Sequence, residues 1–230
     1  MKFEYLKWDS AFFNKEISKV NVDEKINNIE SFLLQLKKKK SSLYYLFSKV
    51  RQPLLEKNKI PLIDIKTIYQ KSLIERPIKE FIDIKKYTGK INKQLINLSI
   101  ESGYYSRFKK DELLSHKFSE LYTEWIKKSV EKKIADEVFV AYSGKSIVGV
   151  VTVLKSSGIG RIGLIAVGRS YRGKGWGAKL LKEAERWYLK HHLKRAVIVT
   201  QKENKDAALL YKNEGYVIDH RLYIYHLSIS

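Results

Sequence analysis

The sequence predicts an α/β (α+β) fold in which a mixed, mostly antiparallel central sheet is accompanied by a smaller N-terminal α/β half. Short apolar runs alternate with amphipathic segments along the 230 residues. Between residues 137 and 167 three apolar runs are separated only by short glycine-containing turns, and strands joined in that way pair antiparallel. A hydrophobic content of 44% is ample for a core. We expect an N-terminal α/β domain at residues 1–81 and a second domain at residues 82–230, a boundary that comes from the motif resemblance described below.

The N-terminal half shows several strand-like runs and one helical pattern. The run SLYYLFSKV at residues 42–50 is short, apolar and rich in aromatic residues, which is typical of a strand. Residues 23–39 instead repeat apolar side chains every three or four positions, as on one face of a helix. The other predicted strands are residues 3–8, 17–22 and 62–73.

The C-terminal half continues with helices and strands in a definite order. The pattern from Leu95 indicates a helix, and residues 118–135 form a strongly amphipathic one. The following elements are strands at residues 137–142, 146–155 and 161–167, a glycine-rich loop, a helix from about Gly175, a strand ending at Gln201, a helix from Asn204 and a strand at residues 216–229.

The most informative segment is the glycine-rich loop RGKGWG at residues 172–177. It joins the end of an apolar strand to the start of an amphipathic helix, where the first amides have no partner within the helix and the helix dipole is positive. A phosphate is stabilised in such a place. Gly173, Gly175 and Gly177 permit positive φ and remove Cβ atoms that would keep phosphate oxygens away. The arginine and lysine of the loop add positive charge.

Two familiar phosphate loops fit these letters incompletely. The dinucleotide pattern G-x-G-x-x-A fits Gly173, Gly175 and Ala178, but the next strand ends Ile198-Val199-Thr200-Gln201, with no Asp or Glu at its end to bind a ribose. The NTPase pattern fits Gly168, Gly173 and Lys174, yet Gly175 stands where a hydroxyl must bind magnesium. Both types of site are therefore disfavoured.

A third pattern fits completely, and it resembles the GNAT superfamily of acyl-CoA-dependent N-acyltransferases. Residues 172–177 match [QR]-x-x-G-x-[GA], and residues 204–216 match N-x-x-A-x-x-L-Y followed by G-[FY]. The resemblance covers roughly residues 82–230 and implies the GNAT core, with acetyl-CoA as acyl donor. It implies these cofactor-binding residues: Ile165, Ala166, Val167, Arg172, Gly173, Lys174, Gly175, Trp176, Gly177, Asn204, Ala207 and Tyr211.

The second helix of this pattern carries the candidate chemistry. Asn204, Ala207 and Tyr211 fall on one helical face, where Asn204 is placed to cap the helix and Ala207 leaves room for a slender cofactor arm. A thiol has a pKa near about 8.5 and tyrosine near about 10, so a phenol can donate a proton to a departing thiolate. The resemblance implies this general-acid role for Tyr211. No general base is assigned.

A narrower resemblance concerns the acceptor. The letters WDSAFF at residues 8–13 and SRF at residues 106–108 match the branch of the family that acetylates dTDP-4-amino-4,6-dideoxygalactose. This implies a nucleotide-linked amino sugar of cell-surface polysaccharide biosynthesis as acceptor, contacted by Ser106 and by Arg107, which could pair with a diphosphate. Two alternatives stay open: a peptide or protein N-terminal acetyltransferase, and a noncatalytic CoA-binding or nucleic-acid-binding module.

Composition excludes several classes of protein. The chain has no cysteine, which excludes disulfides, thiolate zinc sites and a covalent acyl-cysteine, and we expect no metal. No apolar run approaches the roughly 18 residues of a membrane span, and the first residues lack a signal-peptide pattern, so we expect a cytoplasmic protein without a membrane partner. The net charge of +20 suits polyanionic ligands, but the lysines are spread along the chain, which disfavours nucleic acid. A homodimer is left open.

Overall fold

The computed structural model describes residues 1–74 and 80–229, which divide into two compact units. One unit contains Met1–Thr67 together with the C-terminal residues from His220, and the other contains Ile68–Asp219. The sequence-predicted boundary between residues 81 and 82 therefore differs from this division at both ends of the chain. The reason for the difference at the C-terminus is strand pairing, because residues Tyr223–Ser228 pair antiparallel with residues Leu43–Ser48.

The first unit contains short helices between strands. Its strands β1 and β2 pair antiparallel, and β2 and β3 pair parallel. Buried side chains of Val20, Phe32, Leu36 and Leu46 belong to its core. The elements are β1 (Lys2–Tyr5), α1 (Lys7–Phe13), β2 (Ile17–Val22), α2 (Ile29–Lys37), β3 (Leu43–Ser48), α3 (Pro53–Lys57) and the first part of β4 (Leu62–Ser72).

Two predicted elements of this unit begin or end elsewhere in the structure. The first strand ends at Tyr5, and Trp8 lies on helix α1 with 44% of its surface exposed and its ring stacked on Phe12. Helix α2 begins at Ile29 rather than at residue 23, because the side chain of Asn28 accepts the amide of Ser31 and caps the helix there. Helix α3 was missing from the sequence prediction.

The second unit holds the segment that the sequence singles out. The end of β4 lies beside β9, where the Leu73 amide donates to the Lys194 carbonyl at 2.8 Å. The elements are β5 (Ile84–Lys86), α4 (Lys93–Ser102), α5 (Arg107–Lys110), α6 (Glu112–Ser115), α7 (Phe118–Val130), β6 (Glu137–Ser143), β7 (Ser146–Ser156), β8 (Ile159–Val167), α8 (Trp176–Lys190), β9 (Arg195–Gln201), α9 (Lys205–Asn213) and β10 (Val217–Ser228), the last of which continues into the first unit.

The sheet of this unit is mixed and mostly antiparallel, which confirms the predicted fold class. Strands β5, β6, β7 and β8 pair antiparallel in that order, and β8 pairs parallel with β9. Helix α8 buries Leu180, Leu181 and Ala184 in the core cluster of this unit. Within the described residues, no helix combines the length and the apolar character needed to cross a lipid bilayer.

Candidate functional site

The glycine-rich loop has the backbone conformation that the sequence predicts. Strand β8 ends at Val167, a short 3-10 turn follows, and α8 begins at Trp176. Gly173 and Gly175 have φ of 74° and 80°, a region that favours glycine, and a Cβ on either would meet no atom within 4 Å. The space over the start of α8 is therefore open, next to amides that have no partner within the helix.

Gly177 has a different reason to be glycine. A Cβ at this position would lie 2.8 Å from Cδ2 of Leu210 on α9. The missing side chain thus allows α8 and α9 to pack closely, whereas the sequence interpretation attributed it to clearance for a phosphate. Trp176, the first residue of α8, is half-buried and packs against the core, and the ammonium of Lys179 lies 4.6 Å from its ring centroid.

The two charged side chains of the loop bond to the protein itself. Arg172 donates from Nε to the Val167 carbonyl at 2.9 Å and from Nη2 to Glu101 on α4 at 3.0 Å. Lys174 donates from Nζ to the Ser170 carbonyl at 3.2 Å. These side chains fix the loop against the end of β8, and both remain exposed enough to contribute positive charge.

Strands β8 and β9 diverge next to this loop. Their parallel pairing comprises Gly160 with Ala196 and Arg161 with Val197, and within the described residues it stops there although both strands continue. A bulge accompanies the divergence, because the register against β7 shifts between Val151 and Val153. The opening is a feature that the sequence could not show.

The alternation of the β8 ladder determines which amides face the opening. The Gly168 amide donates to the Val148 carbonyl at 2.9 Å, and the register pairs Ala166 with Val150. In an antiparallel ladder these two observations turn the amide of Ala166 toward β7 and the amides of Ile165 and Val167 toward the opposite edge. Of the three predicted strand residues, Ile165 and Val167 therefore present donors to the opening, while Ala166 does not.

Helix α9 begins as the sequence predicts. The side-chain oxygen of Asn204 accepts the Ala207 amide at 3.2 Å, so Asn204 is the N-cap. Ala207 is half-buried and packs against the same core cluster as Ile165 and Val167. Two turns from the cap, Tyr211 is 2% exposed and belongs to that cluster.

The surroundings of Tyr211 are aromatic and largely apolar. Its ring meets that of Tyr69 edge to face at 5.5 Å and lies 6.3 Å from that of Tyr216. Burial raises the pKa of Tyr211 well above the ordinary value, and the nearby Tyr69 adds to the increase. The phenol is consequently protonated throughout the physiological pH range and can act as a donor rather than as a base.

Sequence reasoning missed Tyr69 and an ion pair close to it. Lys71 and Glu185 are 114 positions apart, and the Lys71 ammonium lies 2.6 and 2.8 Å from the two carboxylate oxygens. A local signal existed only for Tyr69 and Lys71, which are two apart on a predicted strand and so share a face.

The two predicted acceptor contacts lie at the start of α5. Ser106 precedes this helix and Arg107 is its first residue, and they are 5% and 8% exposed. The guanidinium carbon of Arg107 lies 4.3 Å from the ring centroid of Phe108. Lys110 on the same helix pairs at 2.9 Å with Glu203, which directly precedes the α9 cap. The role of Ser106 and Arg107 stays a prediction.

Comparison with known proteins identifies related chains. The model of the acetyltransferase (GNAT) family matches residues 98–216. N-alpha-acetyltransferase 30 of Xenopus laevis is 35% identical over 95 residues, which are 39% of this chain and 35% of the frog protein; the human protein is 34% identical over 95 residues, 39% of this chain and 26% of its own length. The matched segment thus spans about a third or less of these relatives.

Solved structures share the fold at low identity. A GCN5-related N-acetyltransferase from Sphaerobacter thermophilus superposes with a TM-score of 0.55 at 16% identity, covering 87% of this chain and 68% of that one. The PaiA N-acetyltransferase from Thermoplasma acidophilum, solved in complex with coenzyme A, gives a TM-score of 0.51 at 17% identity, covering 64% of this chain and all of that one (100%).

Proposed function

The chain belongs to the acetyltransferase (GNAT) family and is an acetyltransferase, and we propose that it transfers the acetyl group of acetyl-CoA to the amine of a dTDP-linked amino-dideoxy sugar. One observation supports the acyl-transfer step above the others. Strands β8 and β9 separate beside the glycine-rich loop, and the amides of Ile165 and Val167 turn into the opening.

The residues around the start of α8 fit a diphosphate. Positive φ at Gly173 and Gly175 exposes the first amides of the helix, and a Cβ at either glycine would enter open space. Anions bind at such helix starts because unpaired amides and the helix dipole act together. These amides would hold the CoA diphosphate, and the relative from Thermoplasma acidophilum, solved with coenzyme A, supports the assignment.

The reaction divides between the strand edge and Tyr211. Acetyl-CoA supplies an acyl group on a thioester, an activated form that an amine can attack. The Ile165 and Val167 amides would donate to the carbonyl oxygen as negative charge develops on it. Tyr211 would protonate the departing sulfur, whose own pKa rises in the same apolar surroundings and so approaches that of the phenol. The chain has no cysteine that could carry the acyl group, so direct attack by the amine is favoured, and the proton that the amine loses would pass to water.

The acceptor assignment depends on α5. Arg107 is almost fully buried at the start of this helix, and the Lys110–Glu203 pair joins α5 to the turn before α9. A planar guanidinium there would pair with both oxygens of a phosphate, as a nucleotide-linked sugar requires. Ser106, next to it, would donate a hydroxyl.

A peptide N-terminus is the second candidate acceptor. It is favoured by the identity of 34–35% to N-alpha-acetyltransferase 30. That match covers 39% of this chain, and residues 8–13, whose letters resemble the nucleotide-sugar branch, lie outside the residues 98–216 that the family model matches.

An acceptor panel separates the two candidates. Purified protein is incubated with acetyl-CoA and either dTDP-4-amino-4,6-dideoxygalactose or unacetylated N-terminal peptides, and released CoA is measured. We expect turnover of the nucleotide sugar, reduced by Arg107→Met and unaffected by Lys109→Met on the same helix. If only the peptides are acetylated, the peptide N-terminus is the acceptor. If CoA is released with the nucleotide sugar no faster than without any acceptor, the nucleotide-sugar proposal is wrong.

A further inference from the structure

We infer that Lys71 and Glu185 are positioning residues that hold Tyr211 in place for proton donation, an inference that rests on the proposed function. Lys71 lies outside the residues 98–216 that the family model matches. Tyr211, which lies inside the matched segment, would then be held in place by strand β4, which precedes that segment in the chain.

The first element of this arrangement is a buried ion pair between β4 and α8. The Lys71 ammonium lies 2.6 and 2.8 Å from the two carboxylate oxygens of Glu185, whose side chain is 2% exposed, while that of Lys71 is 15% exposed. A carboxylate so far from water needs its cation, because an unpaired buried charge is strongly unfavourable. The pair therefore fixes the end of β4 against helix α8.

The second element is the strand face that carries this lysine. Tyr69 and Lys71 are two residues apart on β4 and so point to the same side of the strand. Tyr69 packs edge to face against Tyr211 at 5.5 Å, and the Lys71 ammonium lies 5.3 Å from the centroid of the Tyr216 ring. A shift of β4 would move both contacts together.

The third element connects Tyr216 directly to Tyr211. The Tyr216 amide donates to the Tyr211 carbonyl at 2.9 Å, and Tyr216 is 2% exposed. Lys71 is thus connected to Tyr211 in two ways, through the ring of Tyr69 on its own strand and through Tyr216, which lies between α9 and β10. Neither connection requires Lys71 to touch substrate.

A second ion pair on the same helix provides a matched control. The Lys182 ammonium of α8 lies 3.7 Å from the carboxylate of Glu214, the C-cap residue of α9, and the Lys182 side chain is 44% exposed. Like the Lys71–Glu185 pair it anchors a residue of α8, but it is longer and its lysine is open to solvent, so its loss should leave the Tyr211 ring in place.

The test compares Lys71→Met with Lys182→Met. With acetyl-CoA and the acceptor that the panel identifies, we expect Lys71→Met to lower kcat by about 10- to 100-fold through misplacement of the acid, with the KM for acetyl-CoA within about twofold of the parent value. Lys182→Met should match the parent. The position of the Tyr211 ring can be followed by NMR in protein labelled with ¹³C-tyrosine, where the Tyr211 signal is the one that disappears in Tyr211→Phe. This signal should shift in Lys71→Met and stay unchanged in Lys182→Met.

Further variants separate positioning from loss of stability. The double variant Lys71→Met/Glu185→Met removes both charges, so it should regain thermal stability relative to Lys71→Met while its kcat stays low. If kcat returns to the parental value together with stability, the inference is wrong.

The inference is also wrong if Lys71→Met keeps the parental kcat and an unchanged Tyr211 signal. If Tyr211→Phe keeps the parental kcat, the proposed function fails; if only Tyr211→Phe loses activity, the positioning inference alone fails.

Discussion

The glycine-rich loop and the Tyr211 cluster hold their shapes by opposite means. The loop, residues 172–177, is exposed, its conformation depends on two glycines with positive φ, and its arginine bonds a backbone carbonyl and an exposed carboxylate. The Tyr211 cluster, which we define as Tyr69, Tyr211 and Tyr216 with the Lys71–Glu185 pair, is almost entirely buried. Local backbone geometry therefore shapes the loop that we propose to bind the cofactor, while long-range packing places Tyr211, the proposed acid.

The two regions should therefore respond differently to the loss of a charged partner. A charge pair in water contributes little, since solvent screens it and competes for its partners. A pair shielded from water is costly to break, because one charge is left without compensation. Changes in the Tyr211 cluster should accordingly affect stability and rate more than equivalent changes in the loop.

The largest effect is expected from breaking the buried pair. Lys71→Met leaves the Glu185 carboxylate buried without its cation and should lower the free energy of unfolding by about 3–5 kcal/mol, measured by urea denaturation. Lys182→Met on the same helix is the control and should change it by less than about 1 kcal/mol. Equal losses in the two variants would remove the contrast between the buried and the exposed pair.

The next effect concerns the acid itself. Tyr211→Phe should lower kcat by about 100-fold or more with little change in the KM for acetyl-CoA, since the proposed role of the phenol is to protonate the departing sulfur. Because burial raises the pKa of Tyr211, the parental kcat should not fall through loss of this proton below about pH 10. Steady-state rates across pH check both statements, and Tyr45→Phe is a control tyrosine in the first unit.

A smaller effect is expected in the loop. Gly175→Ala places a side chain at φ 80° and should cost about 1–2 kcal/mol of stability, and it should weaken acetyl-CoA binding about tenfold by displacing the first amides of α8. Gly158→Ala at φ 73° in the β7–β8 turn should cost the same stability. Calorimetric titration with acetyl-CoA should show unchanged affinity for that control; a shared loss of affinity would mean that the loop has no special role.

The smallest effect is expected at the exposed pair of the loop. Glu101→Gln keeps a hydrogen-bond acceptor for Arg172 and should reduce stability by less than about 1 kcal/mol. Thermal unfolding at two salt concentrations should show that the small difference shrinks at high salt. A loss as large as that of Lys71→Met would show that the loop is held by charge rather than by glycine geometry.

The sequence predicted most of the fold because its signals are local. The run at residues 62–73 corresponds closely to β4, and the pattern at residues 118–135 contains α7, which ends earlier, at Val130; apolar periodicity reports directly on strand and helix faces. The short helices α3, α5 and α6 span one turn or slightly more, too little for a periodicity to appear. The division into compact units at Thr67 and His220 depends on strand pairing between distant residues, which has no local signal in the sequence.

In the candidate site, too, local features could be predicted from the sequence and long-range contacts could not. Positive φ at Gly173 and Gly175 and the cap at Asn204 follow from residue type and position, and both were predictable. The divergence of β8 from β9 and the contact of Glu185 with Lys71 arise only when distant segments meet. A single sequence carries no signal for either.

One measurement tests the central claim most directly, namely that the opened edge of β8 binds the acyl donor. In a titration of ¹⁵N-labelled protein with acetyl-CoA, the amides of Ile165 and Val167 should shift strongly, whereas that of Ala166, which faces β7, should shift much less. Saturation with acetyl-CoA without movement of the Ile165 and Val167 signals, or with an equal shift at Ala166, would contradict the account.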